Sequence, residues 1–437
     1  MATRDGYLTR REALAALAGT MATAYADDRP RSKPPTRPNP PARKLAVVTT
    51  AYHYLSHAYH ICGRFLHGYL RAGRMHYPDF RLAGMYVEQQ PQSDLSKGLA
   101  AKHDFRLYPS IGEALTLGTD ALAVDSVLLI GEHGDYPYNA RGQKLYPRFE
   151  YFEKIVEVFR RAGRSVPVFC DKHLSYDRNK AREMVDTARK LKIPLFAGSS
   201  LPVTWRRPEV ELPLGSRIEN ALVVSRGELE IYSFHALEAL QCMVERRAKG
   251  PQGVRAVTCL EGEAVWKAGD AGAWSWELLE HALGRSPSLN VGDVRENCKH
   301  FIPPPGRPTF LKGPIAFLIE YRDGLKAAVL ILNGHVDDTT FAARLTGEKK
   351  PVSTLFYLPP PPGASFLQAL TVRIEEFLTT GKPPYPVERT LLTGGMLDLA
   401  LESRVMGHRR METKDLDVSY EPPQDSGFMR GDETNPA

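Results

Sequence analysis

From residue 44 to about residue 200, short apolar runs alternate with stripes of apolar residues at helical spacing. Leu45-Ala46-Val47-Val48 predicts a strand. Leu55, Ala58, Tyr59, Cys62, Phe65, Leu66 and Tyr69 then share one helix face. Leu82 to Val87 predicts a second strand, and Val127-Leu128-Leu129-Ile130 a strand covered on both faces. Phe149, Phe152, Ile155, Val156 and Phe159 mark a further helix. Val166 to Cys170 predicts a strand, followed by a helix carrying Ala181, Met184, Val185, Ala188 and Leu191, with Ser175 as its cap. Pro194 to Ala197 closes the series. Such β-α alternation predicts a doubly wound parallel sheet, which binds ligands beyond the carboxyl ends of its strands.

After about residue 205 the rhythm changes. A helix is expected from about Ser233 to Arg247. Strand-like runs follow with little helix between them: Val254–Leu260, Pro314–Tyr321, Ala327–Leu332, Phe341–Leu345 and Ser353–Leu358. This predicts a largely antiparallel sheet with one helical layer, an α+β domain. Helices are expected again at Ser365–Thr379 and Glu388–Met406. The charged tail, residues 408–437, is expected to be mobile. The fold class expected is α/β plus α+β, with a Rossmann-like domain over 44–204 and a second domain over 205–407.

The amino end adds an address. Arg10-Arg11 precede a small-residue apolar run, and Ala24-Tyr25-Ala26 offers a cleavage site. Residues 1–26 resemble a twin-arginine signal, which carries folded proteins to the periplasm or outside. Ala13 stands where that pattern has a large apolar residue; a short helix with a chance Arg pair is the plainer explanation. Residues 27–43 hold six prolines and read as a stiff tether. Elsewhere no apolar run approaches the roughly 18 residues of a membrane span. The net charge of +6 is spread along the chain without basic blocks beside aromatic residues, which gives nucleic-acid binding no support. Five isolated cysteines indicate neither a disulfide framework nor a structural zinc site.

Ionisable residues gather where the predicted strands end. Lys172 follows a strand; its ammonium can hold a substrate oxygen or act as a base, or simply pair with Asp171 or Asp177. His235, between Phe234 and Leu237, serves as acid/base with Glu238 one turn on, or is a core histidine. Glu132, His133 and Asp135 crowd a glycine-flanked loop that binds a polyhydroxylated ligand or a cation, or is a solvated turn. His53, His57, His60 and His67 lie opposite the first helix's apolar stripe. Solvent or a neighbouring chain is the plain expectation; the His57/His60 spacing also suits a shared metal, and His53 with His57 could meet an anion at the helix start. Trp205 and Arg206 either stack on a sugar or anchor a domain junction.

Four places resemble the glucose–fructose oxidoreductase / inositol dehydrogenase (Gfo/Idh/MocA) family. Asp171-Lys172-His173 stands where the family has Glu-Lys-Pro. Ala197-Gly198-Ser199-Ser200 with Arg206-Arg207-Pro208 matches its interdomain stretch. The helix with His235 and Glu238 resembles its active-site helix. The run Ile374-Glu375-Glu376-Phe377-Leu378, then Gly381-Lys382-Pro383-Pro384 and Ser403, resembles its carboxyl-terminal helices. The resemblance implies an oxidoreductase that moves hydride between NAD or NADP and a carbohydrate or cyclitol. Lys172 and His235 would surround the reacting hydroxyl. Thr49, Thr50 and Tyr52 after strand one, Glu88 after strand two, and Glu132 and His133 would meet the cofactor; Asp135, His173, Trp205, Arg206 and Glu238 would meet the substrate. No metal is implied, and an open sheet face would permit a homo-oligomer.

Three positions depart from the family. A dinucleotide turn wants Gly-x-Gly-x-x-Gly, whereas this chain reads Thr49-Thr50-Ala51-Tyr52-His53-Tyr54, with no glycine before Gly63. Ile231 stands where an Asp often precedes the active-site His. The fourth-strand loop is charged. A non-redox sugar-binding or sugar-modifying protein on the same scaffold is therefore a second expectation, and a metal-dependent lyase or hydrolase a third.

Overall fold

The computed structural model describes residues 42–247, 252–359 and 362–431. The signal-like segment, and the Pro-rich tether apart from its last two residues, lie outside the described residues.

Strand β1 (Arg43–Ala51) is buried from Leu45 onward. Ser56 caps helix α1 (His57–His67) by accepting from the Tyr59 N–H. Gly68 ends it with φ +76°, where a Cβ would stand 2.6 Å from the His76 carbonyl. Leu55 therefore precedes the helix, and Tyr69 follows it to start the hairpin β2 (Tyr69–Arg71) and β3 (Arg74–His76). The chain continues through β4 (Phe80–Gln89), α2 (Ser96–His103), β5 (Arg106–Leu107), α3 (Ile111–Thr116), β6 (Ser126–Ile130), α4 (Arg148–Ala162), β7 (Val168–Asp171), α5 (Arg178–Lys190) and β8 (Leu195–Gly198). The cap of α5 is Asp177, whose carboxylate accepts from the Asn179 and Lys180 N–H groups at 2.7 and 3.1 Å; Ser175, the expected cap, instead accepts from the Asp177 N–H.

Six strands form one parallel sheet in the order β5-β4-β1-β6-β7-β8. The strand order reverses at β1, so the carboxyl ends of β1 and β6 flank a crevice. Alternate residues of β1 serve opposite layers: Ala46 and Val48 pack with α3, α4 and α5, while Leu45 and Val47 pack with α1.

The second domain comprises β9 (Trp205–Arg207), β10 (Ile218–Ser225), α6 (Ile231–Val244), β11 (Val254–Glu261), α7 (Glu263–Asp270), α8 (Trp276–Leu283), α9 (Val294–His300), β12 (Ile315–Tyr321), β13 (Lys326–Ile331), β14 (Thr339–Leu345), β15 (Val352–Tyr357), α10 (Ser365–Thr380), α11 (Val387–Val405) and β16 (Met411–Glu412). Its eight strands run β16-β11-β12-β13-β10-β14-β15-β9, antiparallel apart from the β10–β13 pair. One face packs on α6 and α11. The other, expected to be open, is covered by α7, α8 and α9 through Val265, Trp266, Trp274, Leu278, Leu279 and Cys298. Those three helices stand where little helix was expected; each spans only seven or eight residues, too short to show a repeated period. Strand β10, central in this sheet, was also unexpected, because Glu219 and Asn220 interrupt its apolar run.

Helix α10 comes after the second sheet in sequence but packs on the first, placing Leu370, Ile374 and Phe377 against Phe169 and Phe196. The segment expected to trail freely from His408 is packed as far as it is described: β16 pairs with β11, and Leu416, Val418, Phe428 and Met429 are buried. No helix of the described residues is long and apolar enough to cross a membrane.

Candidate active site

Lys172 leaves the end of β7 with φ +64°, a left-handed conformation that costs a non-glycine residue about 1–2 kcal/mol. Its N–H donates to the Gly198 carbonyl at 3.0 Å, which fixes the turn. The side chain is buried and donates from Nζ to Glu132 Oε1 at 2.8 Å. Glu132 follows β6, and its other oxygen accepts from the guanidinium of Arg148, the fully buried first residue of α4. Burial alone would raise the Glu132 carboxyl. Lys172, then Arg148, outweigh that and hold it well below the usual carboxylate range.

Four histidines surround this pair. His57, the first residue of α1, has Nδ1 at 2.7 Å from Asp171 Oδ2, and Asp171 is only 1% exposed. The His133 ring meets His53 edge-on at 5.1 Å and His57 at 5.3 Å between centroids. Burial first, and His57 second, depress His133 to about 3. His173 bonds to Glu230 Oε1 at 3.0 Å and packs against Phe234. His235 comes from α6 of the second domain; burial, then the Lys172 ammonium, then His57 hold it well below the usual imidazole value. Side chains of the two domains thus gather around Glu132 and Lys172. His133 Nε2, His235 Nδ1 and Asp171 Oδ1 are buried there without a hydrogen-bond partner among the described residues, and so are free to bond a polar ligand.

The structure brings Lys172, His235, Glu132, His133 and His173 together and sends other expected residues elsewhere. Thr49 and Thr50 are fully buried, their hydroxyls spent on the Ile130 and Glu132 carbonyls at 2.9 and 2.8 Å, so these side chains brace β1 against β6. Tyr52 turns into the core beside Cys62, where burial pushes its phenol up; it does not crowd the crevice. Tyr54 is exposed. Trp205 and Arg206 lie on edge strand β9. Arg206 stacks on Phe428 at 4.2 Å and donates to the Val210 carbonyl at 2.9 Å, which makes it part of the packing and not a sugar contact. Glu238 is fully buried behind the cleft, where it accepts from the Ser199 N–H at 2.7 Å. Asp135 stands exposed at the rim, its backbone clamped by Gln89 at 2.8 and 3.0 Å.

The polar face of α1 is also not the solvent face expected. His60 is buried and depressed to about 4 by burial, then Arg64. Among the described residues no three or more His, Cys, Asp or Glu are arranged to hold a metal. His57 is the functional candidate the sequence left undecided. One signal pointed to it: the first residue of a helix after β1 sits at the same sheet edge as Lys172.

Glu88, near the end of β4, accepts from the Tyr136 hydroxyl. It also lines an open groove of about 820 Å³ that runs between α3 and α4, past Ser110, Glu113, Tyr151 and Lys154. This groove touches neither Lys172 nor His235.

The two-domain build, a parallel sheet in this order joined to a mixed sheet, is the fold of the Gfo/Idh/MocA-type dehydrogenases. GenD2 from gentamicin A biosynthesis, solved in complex with NAD, superposes with a TM-score of 0.52 at 14% identity, over 86% of this chain and 99% of that one. A putative myo-inositol dehydrogenase from Sinorhizobium meliloti 1021 gives 0.48 at 14% identity, over 85% and 99%. The myo-inositol 2-dehydrogenase of Lactobacillus plantarum gives 0.49 at 11%, over the same shares. At these identities the likeness is one of fold. No protein-family profile and no curated protein matches the chain.

Proposed function

We propose that the protein is an exported oxidoreductase that acts on a hydroxyl of a carbohydrate or cyclitol and uses NAD or NADP. The observation that carries this reading is the cluster at the carboxyl ends of β6 and β7, where Lys172 is bonded to Glu132 at 2.8 Å and His57 to Asp171 at 2.7 Å, with His133 Nε2 and His235 Nδ1 buried and unbonded among the described residues beside them.

The residues at the crevice fit a dinucleotide at its two ends. Glu88 stands at the end of β4, where such folds keep the acid for a ribose, and it opens onto a groove large enough for an adenosine. Lys172, at the end of β7, would face the reacting end. Between them a diphosphate would lie near the amino end of α1, beside His53. Bound there, a nicotinamide supplies a hydride acceptor or donor. The chain itself binds and orients. The Lys172 ammonium, steered by Glu132, hydrogen-bonds the substrate oxygen and favours its negative charge. His235, kept neutral, offers a hydrogen bond without competing for a proton.

A second reading, a non-redox sugar-modifying protein, rests on the β1–α1 connection, which has no glycine and whose threonines are already bonded. Calorimetry with NAD, NADP and their reduced forms separates the two. Binding supports the dehydrogenase reading; no binding at millimolar concentration, together with no dinucleotide in native mass spectrometry, overturns it. Export is supported by Arg10-Arg11, the Ala24-Tyr25-Ala26 site and five buried, unpaired cysteines, which suit folding before transport. Replacing both arginines with lysine is expected to leave the protein in the cytoplasmic fraction.

A further inference from the structure

A hydroxyl must lose a proton before or as it is oxidised, and the acceptor becomes a cation. The imidazoles of this cleft are not equal candidates. His133 and His235, half-buried like His57, each have a buried ring nitrogen that bonds no described residue, and no carboxylate among the described residues is bonded to either ring. His173 spends Nε2 on Glu230 and is fully enclosed. His53 directs Nδ1 to the Tyr54 carbonyl. Lys172 is committed to Glu132. His57 alone pairs a partly exposed ring, 20% accessible, with a buried carboxylate.

We propose that His57 is the general base of this cleft and that Asp171 is its positioning residue. The assignment rests on reading the cleft as one that deprotonates a hydroxyl, and is independent of which cofactor follows. Asp171 sits in the β7 ladder opposite Gly198 and is fixed there, so its carboxylate holds the proton of the imidazole on Nδ1. Nε2, which bonds no described residue, is left with its lone pair. The substrate O–H bond breaks and the proton moves to Nε2; the electron pair stays on oxygen, where Lys172 Nζ hydrogen-bonds it. The imidazolium that forms is balanced by Asp171. His57 is faced by Asp171 and Lys172 from the end of β7, by Glu132 and His133 from the loop after β6, by His235 from α6, and by His60 on its own helix. Two carboxylates and one ammonium among these favour the added positive charge.

The test uses the full chain labelled with ¹⁵N-histidine. The resonances missing in His57→Gln assign His57. Expected in the wild type is the tautomer with its proton on Nδ1; in Asp171→Asn that tautomer is lost, because the amide can turn its NH2 to the ring and donate to Nδ1. With myo-inositol and D-glucose as probes and NAD as oxidant, Asp171→Asn and His57→Gln should each lower kcat about 10²- to 10⁴-fold with KM changed less than about threefold. The double variant should lose little more than either alone. A wild-type ring protonated on Nε2, or an unchanged tautomer in Asp171→Asn, overturns the proposal. Should the protein bind no dinucleotide, the tautomer reading still decides, and the failure then belongs to the cofactor assignment.

Discussion

Two buried sets of ion pairs stand out among the described residues, and they differ in what surrounds them. Within the second domain, where the end of α6 meets α11, Glu245 and Arg389 face each other, both 0% exposed. Each Glu245 oxygen is bonded, one of them also by the Tyr420 hydroxyl at 2.7 Å, and the Arg389 guanidinium lies 3.7 Å over the Tyr385 ring. In the cleft Glu132 is equally well bonded by Lys172 and Arg148, but beside it three polar atoms of His133, His235 and Asp171 have no partner. The first pair specifies how α6 meets α11, although Arg389 Nη1 and the Tyr385 hydroxyl beside it are themselves unbonded among the described residues. Around the second pair the unbonded atoms belong to two imidazoles and a carboxylate drawn from both domains, a set suited to a polar ligand.

The sharpest way to break that comparison is to open the contact between α6 and α11. Arg389→Ala leaves Glu245 buried and uncompensated, and should cost about 3–5 kcal/mol in urea unfolding. Probe affinity measured well below the unfolding midpoint should hardly move. Lys172→Met is the counterpart. Glu132 keeps Arg148, so stability should fall by less than the roughly 3–5 kcal/mol of a buried charge left with no partner, while kcat/KM drops by roughly 10²- to 10³-fold. If Lys172→Met unfolds the protein and Arg389→Ala abolishes ligand binding, the roles have been reversed.

A third measurement concerns pH. Burial pushes the Glu238 carboxyl up to about 7. Its folded value lies above its unfolded one, so the folded chain holds this proton more tightly. Stability from this group is present below about 4.5 and is lost as pH rises towards 7, by roughly 3 kcal/mol. His133, depressed to about 3, acts with the opposite sign: its contribution is lost as pH falls from 6.5 towards 3. Glu238→Gln should therefore flatten the alkaline side only, gaining on the wild type at pH 8 relative to pH 5. The smallest effect is expected at the rim. Tyr136→Phe removes one partner of exposed Glu88 and should shift stability by about 0.5–1.5 kcal/mol at most, with a modest change in adenosine-phosphate affinity.

Legibility in the sequence followed the range of the interaction. Five of the first sheet's six strands could be read from their apolar runs; the edge strand β5, only Arg106-Leu107, and the short helices α2 and α3 beside it carry no such run and were missed. Lys172 and His173 were readable too, since charged residues directly after a buried strand must lie at its carboxyl edge. The His57–Asp171 contact spans 114 positions and leaves no local trace. Glu132 and Lys172 were both candidates, but their mutual salt bridge was not foreseeable, because the neighbouring order of β6 and β7 had to be known first. Trp205 and Arg206 misled for a related reason. An Arg beside a Trp looks like a ligand surface until Phe428, from a segment expected to be free, is found stacked on it.

The left-handed backbone at Lys172, shared by His133 at φ +71°, has a consequence for how this chain could change. At both positions glycine would relieve conformational strain worth about 1–2 kcal/mol, whereas a β-branched residue would add to it. Random variation screened only for heat resistance would therefore drift towards glycine at the very two places where the cleft keeps an ammonium and an imidazole. Retaining those side chains requires a pressure other than durability.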